Sequence, residues 1–182
     1  MGADATMTQA FAVAPPNRFA PIVLLVPAAA IALGVLLLPR EQATPIPLLA
    51  GMFMVALVMV GPLLALRRRR IVLDGRTLVV AATFYTQRIP VDALDLDSAR
   101  IVDLDERTEL RPMLGLNRFG LPGLRAGHYL LRNRSRAFCL VTRFRRVLVL
   151  PRRDGRFVLL SPEQPQVLLS RLHELAAPTT RG

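Results

Sequence analysis

A chain of 182 residues with 24 basic and 13 acidic side chains carries a formal charge of +11, and every one of its basic residues is arginine. Its single cysteine, Cys139, excludes an intrachain disulfide, and its histidines, His128 and His173, stand far apart with no carboxylate spaced to complete a zinc site. No catalytic or metal motif survives inspection, so no cofactor is expected.

Residues 1–20, rich in Ala and Thr with Pro15-Pro16 near their end, read as a disordered leader. Two stretches without a charged residue follow, 21–39 and 46–66, separated only by Arg40 to Pro45. Each is close to the roughly 20 residues that a helix needs to cross a bilayer core. The pattern predicts a transmembrane hairpin and an integral membrane protein. Arg67, Arg68, Arg69 and Arg70 then read as a topology anchor, because cationic residues at the end of a span stay on the cytoplasmic side. Both termini are expected there. A cleaved signal peptide over 21–39 is the rival reading, weakened by its long apolar core, its sparsely charged leader and the want of a small-x-small cleavage site. Neither stretch holds a polar residue to mark a substrate path, which argues against a transporter or channel.

From Ile71 onward the signals are mostly of strands. Ile71 to Leu73 meets the turn Asp74-Gly75, Leu78 to Phe84 resumes a β-rich run, Tyr85 to Ile89 continues it, and Ala99 to Leu104 alternates apolar with charged residues. Asp105 to Arg125 reads as a loop that is apolar at Met113, Leu114, Leu116, Phe119 and Leu121, the candidate surface for a partner. Strands are expected again over Gly127 to Leu131, Ala137 to Thr142, Arg146 to Leu150 and Phe157 to Leu160, with turns at Asn133 to Ser135 and Asp154-Gly155. Cys139 falls inside one of them, as a buried strand residue rather than a nucleophile. A C-terminal helix follows, with Ser161 as N-cap, Pro162 in its first turn, Gln164 completing a capping box and an apolar stripe of Leu168, Leu172 and Leu175. Residues 177–182 read as a disordered tail.

Charge divides this part of the chain. Between Arg67 and Leu110 eight arginines face eight acids, whereas between Arg111 and Arg156 twelve arginines face Asp154 alone. Beside an anionic leaflet each basic residue gains about 1 kcal/mol. The turns holding Arg132, Arg134 and Arg136, and Arg152 and Arg153, are therefore the candidate contacts for anionic lipid headgroups, where several guanidinium groups can meet one phosphate. Nucleic acid is disfavoured as a partner, because no recognition-helix pattern accompanies the basic strip.

About seven antiparallel strands closed by a C-terminal helix is the pleckstrin-homology architecture. The runs Gly120-Leu121-Pro122-Gly123-Leu124-Arg125-Ala126-Gly127, Ala137-Phe138-Cys139-Leu140-Val141-Thr142, Val147 to Leu150 and Leu159-Leu160-Ser161-Pro162-Glu163, with Arg88-Ile89-Pro90-Val91 before them, resemble the bacterial PH-domain family of small membrane proteins. The resemblance covers nearly all of Ile71 to Leu175 and implies a PH-like barrel over 71–176, tethered to the bacterial inner membrane. Lipid-binding relatives hold inositol phosphates in the loop joining their first two strands. Here that loop is Asp74-Gly75-Arg76 with a single Arg, so no such site is carried over. The expected function is a non-enzymatic adaptor or surface-sensing module on anionic headgroups. The alternative is a protein-interaction module that docks a peptide or another membrane protein through a sheet edge or the 105–125 loop. The acidic residues Asp103, Asp105, Glu106 and Glu109 match no calcium-loop spacing and read as a solvated face.

Overall fold

The computed structural model describes residues 8–15, 26–27, 29–34, 37, 45–82, 85–121 and 123–177; side chains are described at 49–57, 60–61 and 64 within the helix over 45–67, and as far as Leu116 in the strand over 112–121. Four strands, β1 (Thr8–Phe11), β2 (Arg69–Asp74), β3 (Thr77–Ala82) and β4 (Tyr85–Pro90), form one sheet in the order β1-β2-β3-β4. Six more, β5 (Arg100–Val102), β6 (Pro112–Leu121), β7 (Leu124–Leu131), β8 (Arg136–Val141), β9 (Val147–Pro151) and β10 (Phe157–Leu160), form a second in the order β5-β9-β10-β8-β7-β6. Two long helices complete the fold, α1 (Pro45–Arg67) and α2 (Pro165–Ala176).

Period-two patterning sets the faces. Ile71 and Leu73 on β2, Leu78, Val80 and Ala82 on β3, and Ile89 on β4 are buried, and the residues that alternate with them on these strands are not. They meet Leu124, Ala126, Phe138, Leu140, Leu148, Leu150, Val158 and Leu160 of the second sheet, and Leu168 and Leu172 of α2 close this core. The intervening residues of the second sheet are buried as well. Tyr129, Leu131, Cys139, Val141, Val147, Val149 and Leu159 make a second core, covered by Leu104 and Leu110. Strands buried on both faces read as continuous apolar runs, which is how Phe138 to Val141 and Val147 to Leu150 look.

Turn chemistry is local. Gly75 adopts φ +56° between β2 and β3, the position at which a II′-type hairpin takes glycine. At 152–156 the Asp154 carboxylate accepts from the Arg156 N–H at 3.1 Å and Gly155 sits at φ +76°. The Asn133 side-chain oxygen accepts from the Ser135 N–H at 3.0 Å, and Arg134 is left-handed at φ +66°.

Several expectations are corrected. A transmembrane hairpin is not found: among the described residues, no helix is long and apolar enough to cross a membrane. Within 21–39, residues 26–27 and 29–34 are helical, and the rest of the stretch apart from residue 37 lies outside the described residues. Within 46–66, α1 runs through Gly51, Gly61 and Pro62. The barrel of about seven antiparallel strands gives way to two sheets in which β8 and β10 pair in parallel, because β10 turns back from β9 into the space beside β8. Part of the expected disordered leader is a strand. β1 pairs with β2 from Thr8↔Asp74 to Phe11↔Ile71, the Ala14 N–H donates to the Ser161 carbonyl, and the Glu163 N–H donates to the Ala12 carbonyl. Arg69 and Arg70, expected in an anchor outside the domain, belong to β2, while Arg67 ends α1 and Arg68 is exposed between them.

The expected 105–125 loop is mostly β6, paired with β7 through two register irregularities. The C-terminal helix starts at Pro165 rather than Pro162. Ser161 is buried, and its hydroxyl donates to the Arg143 carbonyl at 3.1 Å instead of capping the helix. Pro178 and residues 16–20 lie outside the described residues.

Leu172 is fully buried at the closure of the first core, so Leu172→Ala lowers unfolding free energy by about 2–5 kcal/mol in a denaturant titration. A Cβ built on Gly155 meets nothing within 4 Å, so Gly155→Ala costs only the left-handed conformation, about 1–2 kcal/mol, read in the same titration.

Candidate functional site

Two hairpin ends come together on one side of the second sheet. The turn from β7 to β8 delivers Arg136, and the turn from β9 to β10 delivers Arg152 and Arg156. Register aligns them: Tyr129 and Phe157 both pair with Ala137, so the start of β8, the start of β10 and the last part of β7 are level. β4 contributes Gln87, whose residue shares the inward series of Tyr85 and Ile89. Together with Leu116, His128, Tyr129, Ala137, Phe138 and Phe157 these residues line a cavity of about 270 Å³.

The cavity is positive. Arg136 and Arg156 are exposed, and Arg152 is mostly covered, with its side chain 21% accessible. Asp154 is the acid beside them, 3.0 Å from the Arg152 guanidinium and 3.8 Å from that of Arg156. These three arginines and one carboxylate together carry a net +2. Two buried polar atoms in the lining have no hydrogen-bond partner among the described residues, the Gln87 Oε1 acceptor and the Arg152 Nε donor.

His128 sits between aromatic rings, 5.2 Å from Phe138 and 6.2 Å from Tyr85 by ring centroids, both edge-on. Burial, and secondarily the charge of Arg156, hold its imidazole below the usual histidine range. Cys139 is wholly buried on β8, and burial pushes its thiol well above the usual range, so it is no nucleophile. Among the described residues no group of three or more His, Cys, Asp or Glu sits together to hold a metal.

Of the residues expected to contact lipid, Arg136 and Arg152 line the cavity, whereas Arg132, Arg134 and Arg153 stand exposed on the same turns without lining it. Among the expected partner residues, Leu116 lines the cavity, and Met113 and Leu114 are exposed beside it on β6. The side chains of Phe119 and Leu121 lie outside the described residues. Gln87, His128 and Arg156 were not singled out by sequence reasoning. His128 could have been found from its place two residues after Ala126 and four after Leu124 on the inward face of β7.

A family profile described as bacterial PH domain matches residues 69–176. The chain belongs to the bacterial PH domain family. The match begins where β2 begins and ends where α2 ends, so the bacterial PH domain comprises both sheets from β2 onward and the helix, with β1 added from outside it. Comparison with curated proteins and with solved structures gave no match. PH domains are interaction modules that bind lipid or protein and are generally non-catalytic.

Because the folded imidazole of His128 is held below its unfolded value of about 6.5, the unfolded chain binds more protons, and stability is lost as pH falls through that value. In an NMR titration of the full-length chain the His128 imidazole is expected to protonate below pH 6.5, and Arg156→Gln to move it part of the way back up.

Proposed function

We propose that this bacterial PH domain is a non-enzymatic module that contacts anionic lipid headgroups at the cytoplasmic face of the inner membrane. The convergence of Arg136, Arg152 and Arg156 around one cavity carries the reading. Guanidinium groups offer forked donors to phosphate, and several at one place raise the local concentration of any anionic headgroup. The exposed arginines Arg132, Arg134 and Arg153 on the same turns extend the positive surface beyond the cavity. Proximity to lipid is supported by the exposed apolar surface along α1, including Leu49, Met52, Phe53, Leu57 and Leu64. Apolar surface of that extent marks an interaction with an apolar partner or membrane.

A second reading has its own observation. β6 is the edge strand of its sheet, and Met113, Leu114 and Leu116 on it are 64%, 55% and 53% exposed. An apolar edge of this kind suits strand addition by a partner peptide.

Mixed micelles of a neutral detergent doped with anionic or zwitterionic phospholipid discriminate between the two. The full-length chain is expected to bind the anionic micelles selectively, with affinity falling as salt rises. Replacing Arg136, Arg152 and Arg156 together by Gln removes about 3 kcal/mol at low salt, taking about 1 kcal/mol for each. Equal binding to both lipids would overturn the headgroup reading and favour the β6 edge.

A further inference from the structure

We propose that the groove between the β2 edge and the segment Ser161 to Glu163 is an exchangeable strand site: the chain's own residues 8–14 fill it in this structure, and the same residues of a second copy take it in trans. The inference goes beyond the headgroup reading and uses none of the cavity residues.

The occupant is held mostly by its main chain. Thr8 to Phe11 pair with Asp74 to Ile71, the Glu163 N–H donates to the Ala12 carbonyl at 3.0 Å, Val13 bridges Pro162, and the Ala14 N–H donates to the Ser161 carbonyl at 3.0 Å. One extended segment thus spans the outer strand of the first sheet and the approach to α2. In sites of this kind main-chain bonds supply affinity and side-chain pockets supply selectivity. Thr8, Gln9 and Ala10 are exposed, Phe11 and Val13 pack against the first core, and Ala14 is 2% exposed. The site therefore takes an extended, uncharged peptide, apolar at the positions of Phe11 and Val13 and small at that of Ala14.

The domain keeps its core when this strand leaves. Every buried member of the first core comes from β2 onward, and the family match begins at residue 69. β2 remains paired with β3 along its whole length, and its vacated edge is a template for another strand. Residues 15–68 separate the segment from β2. Closure over so long a connection gives the chain's own strand an effective concentration below the roughly millimolar level of short linkers, so an identical strand from a neighbour competes as copies become concentrated. Reciprocal exchange between two copies remakes the same bonds in each. A second copy is the occupant because residues 8–14 are the sequence seen in the groove and every copy carries them. On the connection, the exposed Leu49, Phe53, Leu57, Val60 and Leu64 of α1 fall on one stripe at helical spacing, an apolar contact open to the neighbour's connection.

Two experiments on the full-length chain in a neutral detergent test the exchange. Ala10 and Val72 stand opposite each other in the β1–β2 register, so a chain carrying Ala10→Cys, mixed with a size-tagged chain carrying Val72→Cys and oxidised, is expected to give a heterodimer whose yield rises with concentration. Cys139 is wholly buried and takes no part. Asp92→Cys, exposed just after β4 at the other edge of the sheet, replaces Val72→Cys as the collision control and should give little. In the second experiment a labelled peptide of residues 6–16 is titrated with the unchanged chain and with the Ala14→Arg chain, whose own strand is driven out by a charge at a covered position. The peptide is expected to bind the variant about tenfold more tightly, since the unchanged groove is already filled. A peptide that itself carries Ala14→Arg should bind neither chain.

A heterodimer no more abundant than the control would overturn the second copy as occupant, and peptide capture by the Ala14→Arg chain in that case would assign the groove to another protein's extended segment. Failure of the peptide as well would overturn the site. Should Ala14→Arg abolish cooperative unfolding, the crosslink decides by itself, because its chains keep the strand intact.

Discussion

The central strands of the second sheet, β8, β9 and β10, are buried on both of their faces, and most of the molecule follows from that. With no solvent side, their sequences are nearly continuous in Leu, Val, Ala and Phe. One face takes the four-stranded sheet and α2, and the other takes the chain from Leu104 to Leu110. With those faces committed, the charged side chains of these strands fall mostly at their ends. That is where the arginines of the two hairpin turns collect, and it is why the cavity lies beside the turns and not in the middle of the sheet.

Electrostatics and packing cooperate there. The β7–β8 and β9–β10 turns are held by their own side chains, Asn133 on Ser135 and Asp154 on Arg156. Local hydrogen bonds of this sort fix the backbone without using the guanidinium groups. Arg136 is left available at the mouth. Arg152 is partly neutralised by Asp154, which lets it be mostly covered. The inward position of Gln87 runs against the apolar rule of its strand, and polar residues that break such a rule tend to mark function.

Much of this was legible in the residues. Strands such as Leu78 to Ala82 and Val147 to Leu150 announce themselves through β-rich runs, and the Asp-Gly pairs at Asp74 and Asp154 mark turns because glycine alone enters the left-handed region freely. β6 was hidden because glycines, Asn117 and Pro122 dilute its strand signal and its pairing with β7 is irregular. β1 was hidden because its partner lies far along the chain, and Thr8 to Phe11 has no pattern of its own. The apolar stretches before Arg67 speak of composition more clearly than of architecture. For the site, the basic turns were visible as charge. The contributions of His128, Gln87 and Arg156 depended on which strands came face to face, which spacing along one segment does not reveal.

The pairing of β1 with β2 has a mechanical side. The strands are antiparallel, with Phe11 opposite Ile71, so the chain leaving β1 and the chain entering β2 emerge at the same end of the pair. Tension drawn through the segment between them would load the contacts one at a time, from Ala14 on Ser161 and Ala12 on Glu163 back to Thr8 on Asp74. That is a peeling geometry, and it resists far less than one in which all the bonds are sheared together. β1 would lift away while β2, held on its other side by β3, stays in place, so a pull on the N-terminal segment is spent on one edge strand before it reaches the core.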